Sequence, residues 1–558
     1  MRFTILFLFL FIGLQSNATD GYKLWLNYSK IENESIRQNY LNRLNSFSVE
    51  SESDILQSAK TELTFALTKL LDPSVPFFDN SEKSDLIVGV IGTSKLIRDL
   101  LPKNSSNKLI SEGFIIFDTG NKIIITGLDA KGVLYGTFHF IRRLQMNLPI
   151  EGLNIVENPK IKHRILNHWD NLDGTVERGY AGFSIWNWHQ LPEYIDPRYI
   201  DYARANASIG INGTVVTNVN SNSLIFREDY IEKTAALADV LRKYGIKLYL
   251  TARFSSPIEL GLFETADPNN EDVQKWWQEK VAEIYKNIPD FGGFLVKANS
   301  EGQPGPQQFG RNHAEGANML ADALLPYGGI VMWRAFVYSD EVPDDRAKQA
   351  YNEFVPLDGL FRKNVIIQVK NGPIDFQPRE PIHPLFGGLA KTPMMMELQI
   401  TKEYLGQGTH LVGLGKMYEE ILNTETYALG KGSTIAKVID GSLYNHELTG
   451  MAGVANIGTA RNWTGNLFGQ ADWFAFGKLA WNPYEKSESI FKEWALCTFT
   501  KNEKVQSTVY NLLSESYEAC VQYMTPLGLH HIMGTGHHYG PGPWVADLSR
   551  ADWNPVYY

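Results

Sequence analysis

The sequence predicts an α/β protein with a central (β/α)8 TIM barrel, a smaller α/β domain before it and a helical region after it. Three observations carry this prediction. Between about residues 164 and 460, eight short apolar runs each end in polar or charged residues, and helix-like segments separate most of them. No glycine-rich nucleotide fingerprint follows any of these runs, which argues against an open, doubly wound sheet. After about residue 460 the pattern becomes helical and aromatic.

The elements follow in order. Residues 1–18 hold one Arg, an apolar run and then small residues, the pattern of a secretory signal too short to be read first as a membrane span. The mature protein is therefore expected to be exported, periplasmic or extracellular. Residues 19–155 mix strand-like runs ("DLIVGVIG", "EGFIIFDTG", "NKIIITGLD") with helical periodicity ("SDILQSAKTELTFALTKLL", "KGVLYGTFHFIRRLQ"), giving the small α/β domain. Residues 156–460 hold the eight barrel runs: "RILNHWD", "GTVVTNV", "IKLYLTARF", "GGFLVKANSE", "GIVMWRAFVY", "NVIIQVKNG", "PMMMELQIT" and "GMAGVANIG". Residues 461–558 carry helical stretches such as "VYNLLSESYEACVQYM" and a loop, "GLHHIMGTGHHYGPGPW".

Composition narrows the function. The chain has 558 residues, 44% hydrophobic and 20% charged, enough for two or three full-sized cores. A formal charge of -10 argues against nucleic acid as the main partner. No segment beyond the first approaches a transmembrane helix in length. Cys497 and Cys520 are too few for a disulfide framework or a zinc site by themselves. The 13 Trp and 26 Tyr suit a protein that stacks rings on sugars.

The chemistry concentrates where the strands end, which in a barrel is the active-site face. Reading those ends gives Trp169, Arg253, Lys297, Glu301, Arg334, Lys370, Asp375 and Glu397. Carboxylates ending the fourth, sixth and seventh strands are the apparatus of glycoside hydrolysis, one as acid and another as nucleophile or activator of water. Lys297, Arg334 and Lys370 sit in apolar strands, where unpaired cations are rare. They either neutralise the carboxylates or receive an anionic substrate, most simply a carboxylate on the sugar. Such cations would lower the pKa of Glu301 and impair it as an acid unless burial or a bound anion compensates. The cluster His530, His531, His537 and His538 matches no metal-ligand spacing, so a loop lining the sugar pocket is expected, with no metal and no cofactor.

These motifs resemble the α-glucuronidases of glycoside hydrolase family 67 over essentially the whole mature chain. The phrases that carry the resemblance are "VKANSEGQPGPQ", "VMWRAFVY", "QVKNGPIDFQPREP", "MMELQITKEYLGQGTHLV", "GMAGVANIG" and "GHHYGPGPW". The resemblance implies inverting, exo-acting removal of α-1,2-linked glucuronic acid, or its 4-O-methyl ether, from oligosaccharides derived from glucuronoxylan. It implies Glu301 as general acid and Asp375 with Glu397 as the pair that activates water. Lys297, Arg334 and Lys370 would grip the uronate, Trp169 would form a sugar platform, and Val219 and Trp544 would sheathe the methyl ether. It also implies a hexosaminidase-like N-terminal domain. Family members continue past "WNPVYY" to complete a helical domain used in homodimerisation, so a chain ending there is expected to hold an incomplete bundle. Two other readings are a hexosaminidase-type barrel hydrolase, which needs no cation cluster, and an aldouronate-binding protein without activity.

Overall fold

The computed structural model describes residues 19–558 apart from 51, 73, 339–341 and 535–537. The expected signal at 1–18 and His537 lie outside the described residues.

The N-terminal unit is built on a five-stranded mixed sheet. Strands β1 (Phe47–Glu50), β2 (Leu86–Val90), β3 (Phe114–Asp118), β4 (Ile123–Gly127) and β5 (Asn154–Glu157) lie in the order β1-β2-β4-β3-β5. β1, β2 and β4 are parallel, whereas β3 runs antiparallel to both neighbours. Two amphipathic helices, Asp54–Leu71 and Ala130–Gln145, pack against each other, and the second lies on β2, β3 and β4 of this sheet. Each begins on a capping side chain: Ser53 accepts from the Leu56 amide and Asp129 from the Gly132 amide.

All eight predicted barrel strands form. They are β6 (His163–Asn167), β7 (Gly213–Val215), β8 (Lys247–Thr251), β9 (Gly293–Val296), β10 (Ile330–Arg334), β11 (Val365–Lys370), β12 (Met394–Gln399) and β13 (Gly450–Val454). Each pairs in parallel with the next, and β13 pairs with β6 to close the cylinder. Both faces of these strands are buried, so the runs look uniformly apolar, but the two faces meet different surroundings. On β10, Val331 and Trp333 join the large cluster under the helices, while Ile330 and Met332 join a second cluster inside the barrel. Val365, Ile367 and Val369 likewise turn outward from β11 and Ile366 inward, as do Met394, Met396 and Leu398 against Met395 on β12.

Alternation by two then fixes where the charges point. Lys297 follows Leu295, Arg334 follows Met332, Gln368 and Lys370 follow Ile366, and Glu397 follows Met395. All five therefore face the barrel interior, one layer above its apolar filling. Glu397 lies within its strand rather than ending it, since β12 continues to Gln399.

The helical region contributes Gly469–Trp481, Ser487–Thr498 and Glu503–Met524. It is tied to the loop after β12 by a buried ion pair, Lys402 Nζ to Asp472 Oδ2 at 2.9 Å. Residues beyond it return to the barrel rim, where Arg346 donates to the Asp552 carbonyl at 2.8 Å. Cys497 and Cys520 are both free and buried. No helix among the described residues is long and apolar enough to cross a membrane.

Candidate active site

The sequence-predicted charges meet as three cation–carboxylate pairs. Lys297 bonds to Glu301, Lys370 to Asp375, and Arg334 to Glu397. The pairs differ in exposure, and that difference sorts their chemistry. The Glu301 side chain is 40% exposed and that of Asp375 16%, whereas Glu397 is 1% exposed. The ammoniums beneath Glu301 and Asp375 are buried, at 2% and 3%. Two carboxylates thus lie over two sequestered cations, and the third pair is sealed below.

Arg334 reaches Glu397 from β10 across β11, donating from Nε at 2.8 Å and from Nη2 at 2.6 Å. Such a fork is the strong, directional form of this contact. Gln368 on the intervening strand donates a third bond to Glu397. Burial alone would raise the Glu397 carboxyl, but the charge and bonds of Arg334, with Lys370 and Gln368, hold it below its ordinary value. Glu397 is thus ionised, with both oxygens engaged.

Glu301 sits five residues beyond the end of β9, in the left-handed region at φ +51°. Its Oε1 accepts from the Tyr338 hydroxyl at 2.6 Å, and Lys297, which also donates to Asn220 Oδ1 at 2.9 Å, takes Oε2. Burial pushes the Glu301 carboxyl up, but Lys297, then Lys370 and the Tyr338 hydroxyl, outweigh it and bring it down to about 2. The conflict foreseen from sequence is resolved here in favour of the cations: without ligand, Glu301 is ionised at neutral pH.

Asp375 follows β11 in a turn with unusual backbone, φ +140° at Asp375 and +60° at Phe376. Lys370, its partner, lies 3.7 Å from the Phe336 ring centroid and 4.3 Å from that of Phe376, a cation–π cradle. Trp169 is 5% exposed, and both Arg334 and Lys370 stand 5.8 Å from its ring. Val219 and Phe376 belong to the same buried cluster as Trp169. Trp544 does not join them: it is 77% exposed. Arg253 bonds Glu259 and Gln303, tying the loop after β8 to the one after β9. His538 Nδ1 lies 2.8 Å from Glu403 and its Nε2 3.2 Å from the Tyr404 hydroxyl, which anchors the histidine loop to the segment following β12. No cluster of potential metal ligands occurs among the described residues.

Tyr338, Asn220, Gln368 and the two Phe rings were not singled out from sequence. Gln368 was accessible, because it precedes Lys370 by two on one strand and must share its face. Tyr338 and Asn220 lie on loops, where spacing gives no direction.

A closed parallel barrel with carboxylates and cations converging on its C-terminal rim belongs to the class in which glycoside hydrolases place acid and base. The chain belongs to glycosyl hydrolase family 67: it matches the family's N-terminal domain over residues 24–140, its middle domain over 143–463 and its C-terminal domain over 464–558. It is 38% identical over 557 residues to "Alpha-glucuronidase A" of Emericella nidulans, covering 96% of this chain and 65% of that protein. It is 37% identical to "Alpha-glucuronidase A" of Aspergillus tubingensis, covering 97% and 65%. The chain thus spans just under two thirds of the length of these relatives. A solved structure titled "A novel family GH115 4-O-Methyl-alpha-glucuronidase, BtGH115A, with specificity for decorated arabinogalactans" shares the fold, with TM-score 0.55 at 14% identity over 92% of this chain and 64% of that one.

Proposed function

We propose that the protein is an α-glucuronidase that removes α-1,2-linked glucuronic acid, or its 4-O-methyl ether, from xylo-oligosaccharides with inversion, and that it acts outside the cytoplasm. The observation that carries this reading is the pair Lys297–Glu301, a buried ammonium lying directly beneath the candidate acid. A hydrolase of neutral sugars gains nothing from a cation that disarms its acid. In a uronic-acid hydrolase the same cation becomes a switch.

The substrate's carboxylate competes for Lys297 and Lys370 and meets Arg334 at Nη1, the nitrogen that Glu397 does not engage. As it takes up their charge, Glu301 loses the attraction that keeps it ionised, while the bound sugar covers its open side. Its pKa then rises, it binds a proton, and it delivers that proton to the glycosidic oxygen as the bond from that oxygen to the anomeric carbon breaks. Asp375, partly exposed and freed from Lys370, accepts a proton from the water attacking the opposite face. Glu397, with both oxygens engaged, fixes Arg334 instead of exchanging protons. The products are the oligosaccharide alcohol and the β-anomer of the uronic acid.

The test is incubation with an aldouronic xylo-oligosaccharide, following the released acid and its first anomer by NMR. The β-anomer is expected first; no release by folded protein, or the α-anomer first, would overturn the reading. The switch has its own measurement. Because the free-state carboxyl lies near 2 and rises on binding, glucuronate should bind with net proton uptake at about pH 5 to 6. Calorimetry in buffers of different ionisation enthalpy reads this directly, and binding without proton uptake would remove the switch from the mechanism.

A further inference from the structure

The turn bearing Asp375 is held by a carboxylate that no step above uses. Glu380 is 7% exposed and accepts three main-chain N–H bonds: from Ile374 at 2.9 Å, from Asp375 at 2.8 Å and from Gln377 at 2.8 Å. The carbonyls of the same turn are also taken. Arg346 donates to Ile374 O at 2.6 Å, and Gln399 on β12 donates to Phe376 O at 3.0 Å. Arg346 is itself fixed by Asp552, through the carbonyl at 2.8 Å and the carboxylate at 3.2 Å.

This arrangement explains how an aspartate persists at φ +140°, a region that side chains other than glycine rarely enter. Three amides pointing at one carboxyl group form a concave nest, and the acceptor oxygens in it stop the turn relaxing. Close fit is visible at Gly372, where an added Cβ would lie 2.0 Å from Glu380 Oε2. Burial pushes the Glu380 carboxyl up to about 7 despite the three donors, so the group is held at a cost that an ordinary loop would shed.

We propose that Glu380 is a positioning residue for the reaction: by binding the amides of Ile374, Asp375 and Gln377, it holds Asp375 in the strained turn that aims its carboxylate at the attacking water. This rests on the reading of Asp375 as the group that accepts the water's proton. The bonds from Glu380 go to the amide of Asp375 itself and to those of its neighbours. Lys297 and Arg334 are untouched by them, and Lys370 stays fixed on its strand, so turnover should fall much further than uronate binding changes.

The test compares wild type, Glu380→Gln and Gly372→Ala on an aldouronic substrate, with calorimetric binding of glucuronate and thermal unfolding alongside. Gln offers one acceptor oxygen and an NH2 that opposes an N–H, and Ala at 372 displaces the Glu380 side chain while leaving it a carboxyl group. Both variants should lose kcat by about 10- to 100-fold, the scale of a misplacement near 1 Å, with KM and glucuronate Kd within about threefold of wild type. Unchanged kcat in folded variants would overturn the proposal. So would equal losses in kcat and glucuronate affinity, or failure of both variants to fold, which would assign Glu380 to folding. If the wild type itself releases no uronic acid, it is the function reading that falls.

Discussion

Glu301→Gln is expected to abolish most turnover while strengthening the binding of glucuronate. Gln retains the size and the contact with Tyr338 but has no proton to give, and loss of a general acid typically costs about 10²- to 10⁴-fold. The binding effect follows from the pairing at the site. In the free protein Lys297 is engaged by Glu301, so a uronate must take the ammonium from a competing carboxylate. Removing that competitor's charge leaves Lys297 available to the ligand. A falling kcat combined with a falling Kd separates this mechanism from general damage, which weakens both. The proton uptake on glucuronate binding should vanish in the same variant. A substrate with a leaving group acidic enough to depart unprotonated should recover much of the rate. Near wild-type turnover of the oligosaccharide by Glu301→Gln would remove Glu301 from the role of acid.

The barrel was legible because eight runs of parallel-strand character recur with helices between them, and burial on both faces leaves such runs apolar. Lys297, Arg334, Lys370 and Glu397 were legible for the same reason: a charge in an apolar strand has to be accounted for. What the residues could not convey was exposure. Glu301 and Glu397 look alike in sequence, each a carboxylate read at the end of an apolar strand, yet one lies at the open rim and the other is sealed under Arg334. Which carboxylate moves a proton depends on that contrast. Glu380 was illegible because its partners are main-chain amides, which every residue type carries. The need for it arises from a positive φ at an aspartate, where no glycine advertises the turn.

Arg334→Met is expected to destabilise the folded protein by about 3–5 kcal/mol at neutral pH, because it leaves Glu397 buried with an uncompensated charge. The pH dependence distinguishes this cause from a packing defect. In the wild type the Glu397 carboxyl is held below its ordinary value of 4.5. A depressed group contributes stability above the unfolded value and loses it as pH falls through the folded one. In the variant the largest influence left is burial, only partly offset by Lys370 and Gln368, and it raises the carboxyl instead. A raised group costs stability as pH climbs past the unfolded value. The gap between the two proteins should therefore be larger at neutral pH and narrow as pH falls toward the depressed range of the wild-type carboxyl, read from urea midpoints across that range. Adding Glu397→Leu to Arg334→Met should restore much of the lost stability, since an apolar pair of similar volume serves a sealed site about as well as an ion pair. That double variant should remain inactive, because its fold no longer carries the guanidinium placed for the substrate. A gap that stays constant with pH, or a double variant no more stable than the single one, would mean that Arg334 supports the barrel through packing and not through the charge of Glu397.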